Sequence, residues 1–153
     1  MTIGKNLTAL ALTMILSLFV WIPPAGAEER THPIDQWVEE ALAADDSTAG
    51  MRETYAEGLK RWDGELNAQY RLLAQKLRPE AMEVLKASQR LWIKYRDAEE
   101  KAAQALGNEL YEVNEGGTIW GVLTAERVMQ ITRARARELE GYVRLLTGIS
   151  DEP

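Results

Sequence analysis

Apolar side chains recur through the middle of the chain at intervals of three and four residues. Tyr55, Leu59, Trp62, Leu66, Tyr70, Leu73 and Leu77 make one continuous stripe. That is the period of one helix face, and it predicts a helix over residues 49–77, a rod of about 43 Å. Gly58 and Gly64 interrupt its propensity and suggest places where another helix comes close. A shorter helix is predicted over residues 34–44, opened by Pro33 and followed by Asp45-Asp46-Ser47-Thr48, which offer N-cap oxygens to the long helix. Pro79 suits the first position of a third helix, with Glu80 and Glu83 near its positive end. That helix is expected to run to Leu106 and stop at Gly107. Val84, Leu85, Leu91, Trp92, Tyr95, Ala98, Ala102 and Ala105 line one face. Residues 108–117 lack a helical period and read as a loop that carries Glu109, Glu112 and Glu115 and ends in Gly116-Gly117. Thr118 is placed to cap a fourth helix reaching Leu146, with Trp120, Leu123, Val128, Ile131, Leu139, Tyr142 and Leu146 inward.

Four helices cannot bury these stripes separately, so the expected fold is all-α, a bundle of three long helices and one short N-terminal helix. Composition agrees. After residue 27, Ala and Leu number 30 against 11 for Val and Ile, which favours helix over sheet.

The first 27 residues have a different character. Lys5 is their only charge, an uncharged and mostly apolar run spans residues 7–22, and Pro23-Pro24 precedes Ala25-Gly26-Ala27. This is the pattern of an export signal cut between Ala27 and Glu28. The run is 16 residues, short of the roughly 20 that span a bilayer. The rival is an uncleaved anchor, and only then does a membrane become a partner. The chain divides into a signal peptide (1–27), one helical domain (28–147) and a flexible tail (148–153), with a periplasmic or secreted location.

The 126 residues after the signal carry 17 basic and 24 acidic side chains, a net charge of −7. That balance argues against nucleic acid and anionic membrane and favours a cationic partner. No cysteine is present, so disulfides, thiolate metal sites and a Cys nucleophile are excluded. The single histidine, His32, precedes Pro33 and reads as a helix cap or a solvated residue rather than a catalytic base. No catalytic residue, metal or cofactor is assigned. Trp37, Trp62, Trp92 and Trp120 fall on apolar faces and read as core. Arg127, Arg133, Arg135, Arg137 and Arg144 read as a solvated basic face of the fourth helix.

Asp63-Gly64-Glu65-Leu66-Asn67 followed by Tyr70 resembles the D-x-x-L-N-x-x-Y signature of the LprI-like family of exported helical domains. Gln89-Arg90-Leu91-Trp92 and Tyr95-Arg96-Asp97-Ala98 resemble that family's Q-R-x-W-x-x-Y-R-D-A run. Gly116-Gly117-Thr118-Ile119 resembles its Gly-Gly turn, and residues 132–139 its closing helix. The resemblance covers roughly residues 34–146. It implies an exported, non-enzymatic protein that binds and inhibits lysozyme. It also implies cysteines near Ala41, Thr54, Glu100 and Arg127, and all four are absent.

Asp63, Asn67 and Tyr70 share one face of the second helix, and Gln89, Trp92 and Arg96 share one face of the third. An Asp63–Arg96 ion pair completed by Asn67 and Gln89 would fix how these helices meet; a ligand pocket is the sharper alternative. Lysozyme is the leading candidate partner, contacted through Glu109, Glu112 and Glu115. The alternatives are an envelope adaptor docking another protein along an exposed helix face, and a small-molecule enzyme of the all-helical chorismate mutase type using Gln89, Arg90, Lys94 and Arg96. If the export signal is cut as expected, mass spectrometry of the protein from the cell envelope will find Glu28 at its N-terminus. An intact Met1 form in the membrane fraction would instead make it an anchored protein.

Overall fold

The computed structural model describes residues 31–148. The signal segment, its Ala27–Glu28 cut and the tail beyond Gly148 lie outside the described residues. Four helices follow one another: α1 (Pro33–Ala44), α2 (Thr48–Lys76), α3 (Pro79–Val113) and α4 (Ile119–Thr147). The fold is all-α, as the stripes predict.

Local chemistry sets most of the boundaries. His32 Nδ1 accepts the Ile34 amide at 3.2 Å, so the lone histidine caps α1. Its ring also stacks on Trp62 with centroids 4.4 Å apart, joining the start of α1 to the middle of α2. Ser47 Oγ accepts the Gly50 amide at 3.0 Å and opens α2. Asp45 Oδ1 accepts the Ser47 amide at 3.0 Å and shapes the turn between them. Leu77 ends α2 in extended backbone and Pro79 opens α3.

Two boundaries depart from the sequence expectation. α3 does not stop at Gly107 but continues to Val113, so only Asn114–Thr118 connects it to α4. Gly107 is tolerated because α4 needs the space: a methyl group there would collide with the Thr124 hydroxyl. Thr118 stands before α4 but makes no side-chain cap bond.

The core is the seam between α2 and α4. Trp62, Leu66 and Leu73 of α2 are buried together with Met129, Ala136 and Leu139 of α4. The two helices are parallel: Arg52 lies over Gly121, and Gly58 sits against Met129, where an added Cβ would come within 2.6 Å of the sulfur. α3 runs back antiparallel and packs on α4. α1 lies across α2, with Val38 beside Gly58. Gly64 has no neighbour within 4 Å and marks no close approach.

The α2 stripe is inward as expected, and Trp62 is fully buried while Trp37, Trp92 and Trp120 are partly so. The α3 face is split. Leu85 and Trp92 turn inward, whereas Val84, Leu91, Tyr95, Ala98, Ala102 and Ala105 are exposed. On α4, Leu123, Tyr142 and Leu146 are exposed, and Val122, Met129, Thr132 and Ala136 take buried positions. The apolar arc of each helix is wider than the side that finds a partner, and α4 is the partner for both α2 and α3.

Trp62→Ala should therefore cost about 3–5 kcal/mol in urea unfolding, the usual loss for a fully buried aromatic. Leu91→Ala should stay within about 0.5 kcal/mol, as surface changes do. Similar losses for both would place Leu91 in the core.

Candidate functional site

Among the described residues the chain presents an acidic end and several shallow crevices. Because α2 and α4 are parallel, the turn into α2 and the turn into α4 lie at the same end of the bundle, as the Arg52–Gly121 contact requires. Asp45 and Asp46 are exposed in the first turn. Glu109, Glu112 and Glu115 are exposed on the last turns of α3 and the connection beyond it. Glu109 and Glu112 are thus helical, not loop residues. Among the described residues none of these three glutamates has an ion-pair partner. Tyr111 and Val113 are exposed beside them.

The connection is well tied. Asn114 Nδ2 donates to Leu110 O at 2.7 Å, and the Gly116 amide to Tyr111 O at 2.8 Å. Trp120 Nε1 donates to Gly116 O at 2.9 Å. Glu115, Gly116 and Gly117 all have positive φ, which a side chain rarely accepts; the two glycines absorb most of that demand. Asp45 is held below its ordinary pKa, first by the Ser47 side chain and then by the Ser47 amide, so it stays anionic. The result is a fixed negative end with two apolar side chains in it. The sequence singles out the three glutamates but not their lying at the same end as Asp45-Asp46, which depends on α2 and α4 being parallel.

The polar positions of the family motifs are distributed differently from expectation. Asp63 does not meet Arg96. Asn67 Nδ2 bonds Asp63 within α2, to the carbonyl at 2.8 Å and the carboxylate at 3.1 Å. Arg96 pairs with Asp97 at 2.8 Å and Glu100 at 3.6 Å within α3, and lies 5.5 Å over Trp92. α3 packs on α4 rather than along α2, which keeps the two predicted partners apart. Asn67, Tyr70 and Gln89 do come together, lining a shallow crevice of about 390 Å³ with Lys86, Arg90 and Ile93. Lys94 and Arg96 are absent from it, so the four residues of the mutase-like alternative do not converge.

A buried link between α3 and α4 is Arg135, which is only 6% exposed. Its guanidinium reaches Gln89 at 3.1 Å and Ser88 at 3.3 Å on α3, and Glu138 at 2.7 Å on α4. It was expected among solvated arginines. Its position between Ile131 and Leu139 on the inward stripe was the available signal. A second clamp holds α1: Arg133 grips Asp35 with two bonds of 2.7 Å. That pair borders the larger crevice, about 630 Å³ between α1 and α4, which includes His32, Tyr55, Glu126 and Arg137. The Tyr55 phenol is pushed above its ordinary pKa by burial and then by Glu126, so it is a neutral hydroxyl at pH 7. Among the described residues, no group of three or more His, Asp or Glu is placed to hold a metal. No helix there is long and apolar enough to cross a membrane.

The family model described as "Lysozyme inhibitor LprI" matches residues 39–139. Among solved structures, the chain is similar to the crystal structure of an uncharacterized protein from Burkholderia thailandensis. The two are 29% identical with a TM-score of 0.65, over 77% of this chain and 57% of that one. The chain thus spans just over half the length of that protein. No curated protein matches it.

Burial raises the Glu138 pKa, but hydrogen bonds from Arg135 and Tyr142 and the Arg135 charge outweigh it, leaving a net lowering. A lowered folded-state value means stabilisation that is present above the unfolded Glu pKa of about 4.3 and lost as pH falls through the folded value. Glu138→Gln should therefore melt below wild type at pH 7. The gap should narrow on acidification below about pH 4. A gap of constant size would remove the ionised carboxylate from the account.

Proposed function

The chain belongs to the family of the lysozyme inhibitor LprI, and on that premise we propose that it is an exported, non-enzymatic binding protein whose partner is a lysozyme. The observation that carries the proposal is the fixed acidic end. Glu109, Glu112 and Glu115 stand exposed there, without an ion-pair partner among the described residues, with Tyr111 and Val113 among them and Asp45 and Asp46 at the same end. Lysozyme cleaves glycan with two carboxyl groups in a cleft, so an inhibitor must fill that cleft or cover its approaches. Animal-type lysozymes are strongly basic, and a negative surface steers them into encounter. Exposed aromatic and aliphatic side chains ringed by charge suit the centre of such a contact. The tied turn reduces the ordering cost of binding. Export through the segment 1–27 would put the domain where lysozyme acts.

Replacing Glu109, Glu112 and Glu115 together with Gln removes three charges and keeps size and polarity. The variant should fold as wild type, because none of the three is buried. Its association with lysozyme should slow. Wild-type association should slow as salt rises, since the screening length falls from about 10 Å at 0.1 M to about 3 Å at 1 M. Surface-immobilised kinetics beside a cell-wall lysis assay measure both. Absence of wild-type inhibition at micromolar protein would end the lysozyme proposal. Inhibition indifferent to the triple substitution would move the contact off this end.

A further inference from the structure

α3 has two apolar sides, and the bundle covers one. Leu85 is buried and Gln89 is bound by Arg135, so that side faces α4. The other side carries Val84, Leu91, Tyr95, Ala98, Ala102 and Ala105, all exposed; Val84 is 71%, Leu91 66% and Tyr95 51% accessible. From Val84 the steps are seven, four, three, four and three residues; Ser88, within the first interval, is turned to α4, where its hydroxyl accepts from Arg135. From Leu91 onward this is the spacing of a coiled-coil seam, sustained over roughly 22 Å of helix, with Val84 two turns before it. Its first half is bulky and its second half is alanine. An ordinary solvated helix face would carry charged residues at these positions. An apolar row of this length on a surface marks an interaction site.

Charge selects the occupant. Lys94 and Lys101 each precede a seam residue, Tyr95 and Ala102, and so flank the row. Both are exposed, and among the described residues neither has an ion-pair partner. A second copy fits poorly. An antiparallel pair of α3 helices that set the bulky half of one on the alanines of the other would place Lys94 against Lys101 twice. A parallel pair would offer Glu99 to Lys94, but Glu99 is already engaged by Arg127 at 2.8 Å. A basic protein is repelled by the same lysines. What fits is a helix with its own apolar row and carboxylates beside it, since flanking charges of opposite sign determine pairing in coiled coils.

We infer that the outer face of α3 is a docking surface for an amphipathic helix of another protein, with a heptad apolar row flanked by Glu or Asp. This surface is separate from the acidic end. The domain would then carry two contact regions of opposite charge preference, one for a basic partner and one for an acidic helix.

The test uses two synthetic 28-residue helices with Leu at the seam positions and either Glu or Lys at every flanking position. Each is labelled and titrated with the protein by fluorescence anisotropy at low salt. The Glu peptide should bind, and the Lys peptide should bind at least roughly tenfold more weakly. Lys94→Glu with Lys101→Glu should invert that order. Leu91→Glu should abolish binding of the Glu peptide, with helical circular dichroism unchanged because Leu91 is outside the core. Equal binding of the two peptides, no binding of either, or Glu-peptide binding indifferent to Leu91→Glu would overturn the inference. So would sedimentation of the protein as a dimer that Leu91→Glu dissolves, since that assigns the face to a second copy. If Leu91→Glu perturbs folding, the charge-reversed protein decides alone. Lysozyme inhibition, carried by the other end, should be unaffected in both variants.

Discussion

The parallel packing of α2 on α4 is the contact on which the rest of the molecule depends. Trp62, Leu66 and Leu73 meet Met129, Ala136 and Leu139 in a seam that supplies most of the fully buried side chains. Gly58 lets α4 approach at Met129, and the His32 ring covers Trp62 from the end of α1. Two parallel helices joined by one chain need a return segment. α3 is that segment, and its 35 residues exceed the 29 of each helix it links. The arrangement forces both helix-opening turns to one end and leaves α3 with α4 as its main partner.

Charged groups hold the elements that the seam does not. α1 is short and contributes one buried residue, Val38, so the Asp35–Arg133 clamp and the Arg61 guanidinium 3.8 Å over Trp37 fasten it at either flank. α3 is fastened by Arg135 and by the Glu99–Arg127 pair. The cysteine positions implied by the family resemblance fall in the same places. Ala41 lies on α1 between Val38 and Asp45, Thr54 on α2 between Gly50 and Gly58, and Glu100 adjoins the residue that binds Arg127. In this chain Thr54 is buried, and an ion pair, Glu99–Arg127, ties α3 to α4 beside two of the four positions. An exposed ion pair contributes far less than a disulfide. The Trp62 seam and the Arg135 linkage therefore carry a larger share of the stability.

The same geometry separates two surfaces. At one end lie the acidic side chains of two turns, one of them a tied connection. Along the outside of α3 an apolar row is edged by lysines. A basic protein suits the first surface and an acidic helix the second. Neither surface includes the crevice at Asn67, Tyr70 and Gln89, where motif residues meet between diverging helices.

The sequence by itself determined the elements. The three-and-four spacing, Pro33 and Pro79, and Ser47 each act within a turn of their own position, so the helices, their order and the all-α class were legible, and so were the inward stripe of α2 and the cap at His32. It also determined the acidity and the lack of any covalent staple. Tertiary structure alone decided which apolar residues are covered, because periodicity gives a face but not its partner. Val84, Leu91 and Tyr95 share a spacing with core residues yet stand outside, since α4 packs on the neighbouring side of α3. It also decided that Gly107 lies inside a helix, where Thr124 of α4 occupies the space a side chain would need. Asp63 and Arg96 had compatible charges and compatible faces but lie on helices that diverge. Arg135, Asp35 and the shared acidic end depend on contacts between residues up to 98 apart in the chain. Such contacts leave no local pattern, because they follow from the direction in which one helix is laid on another.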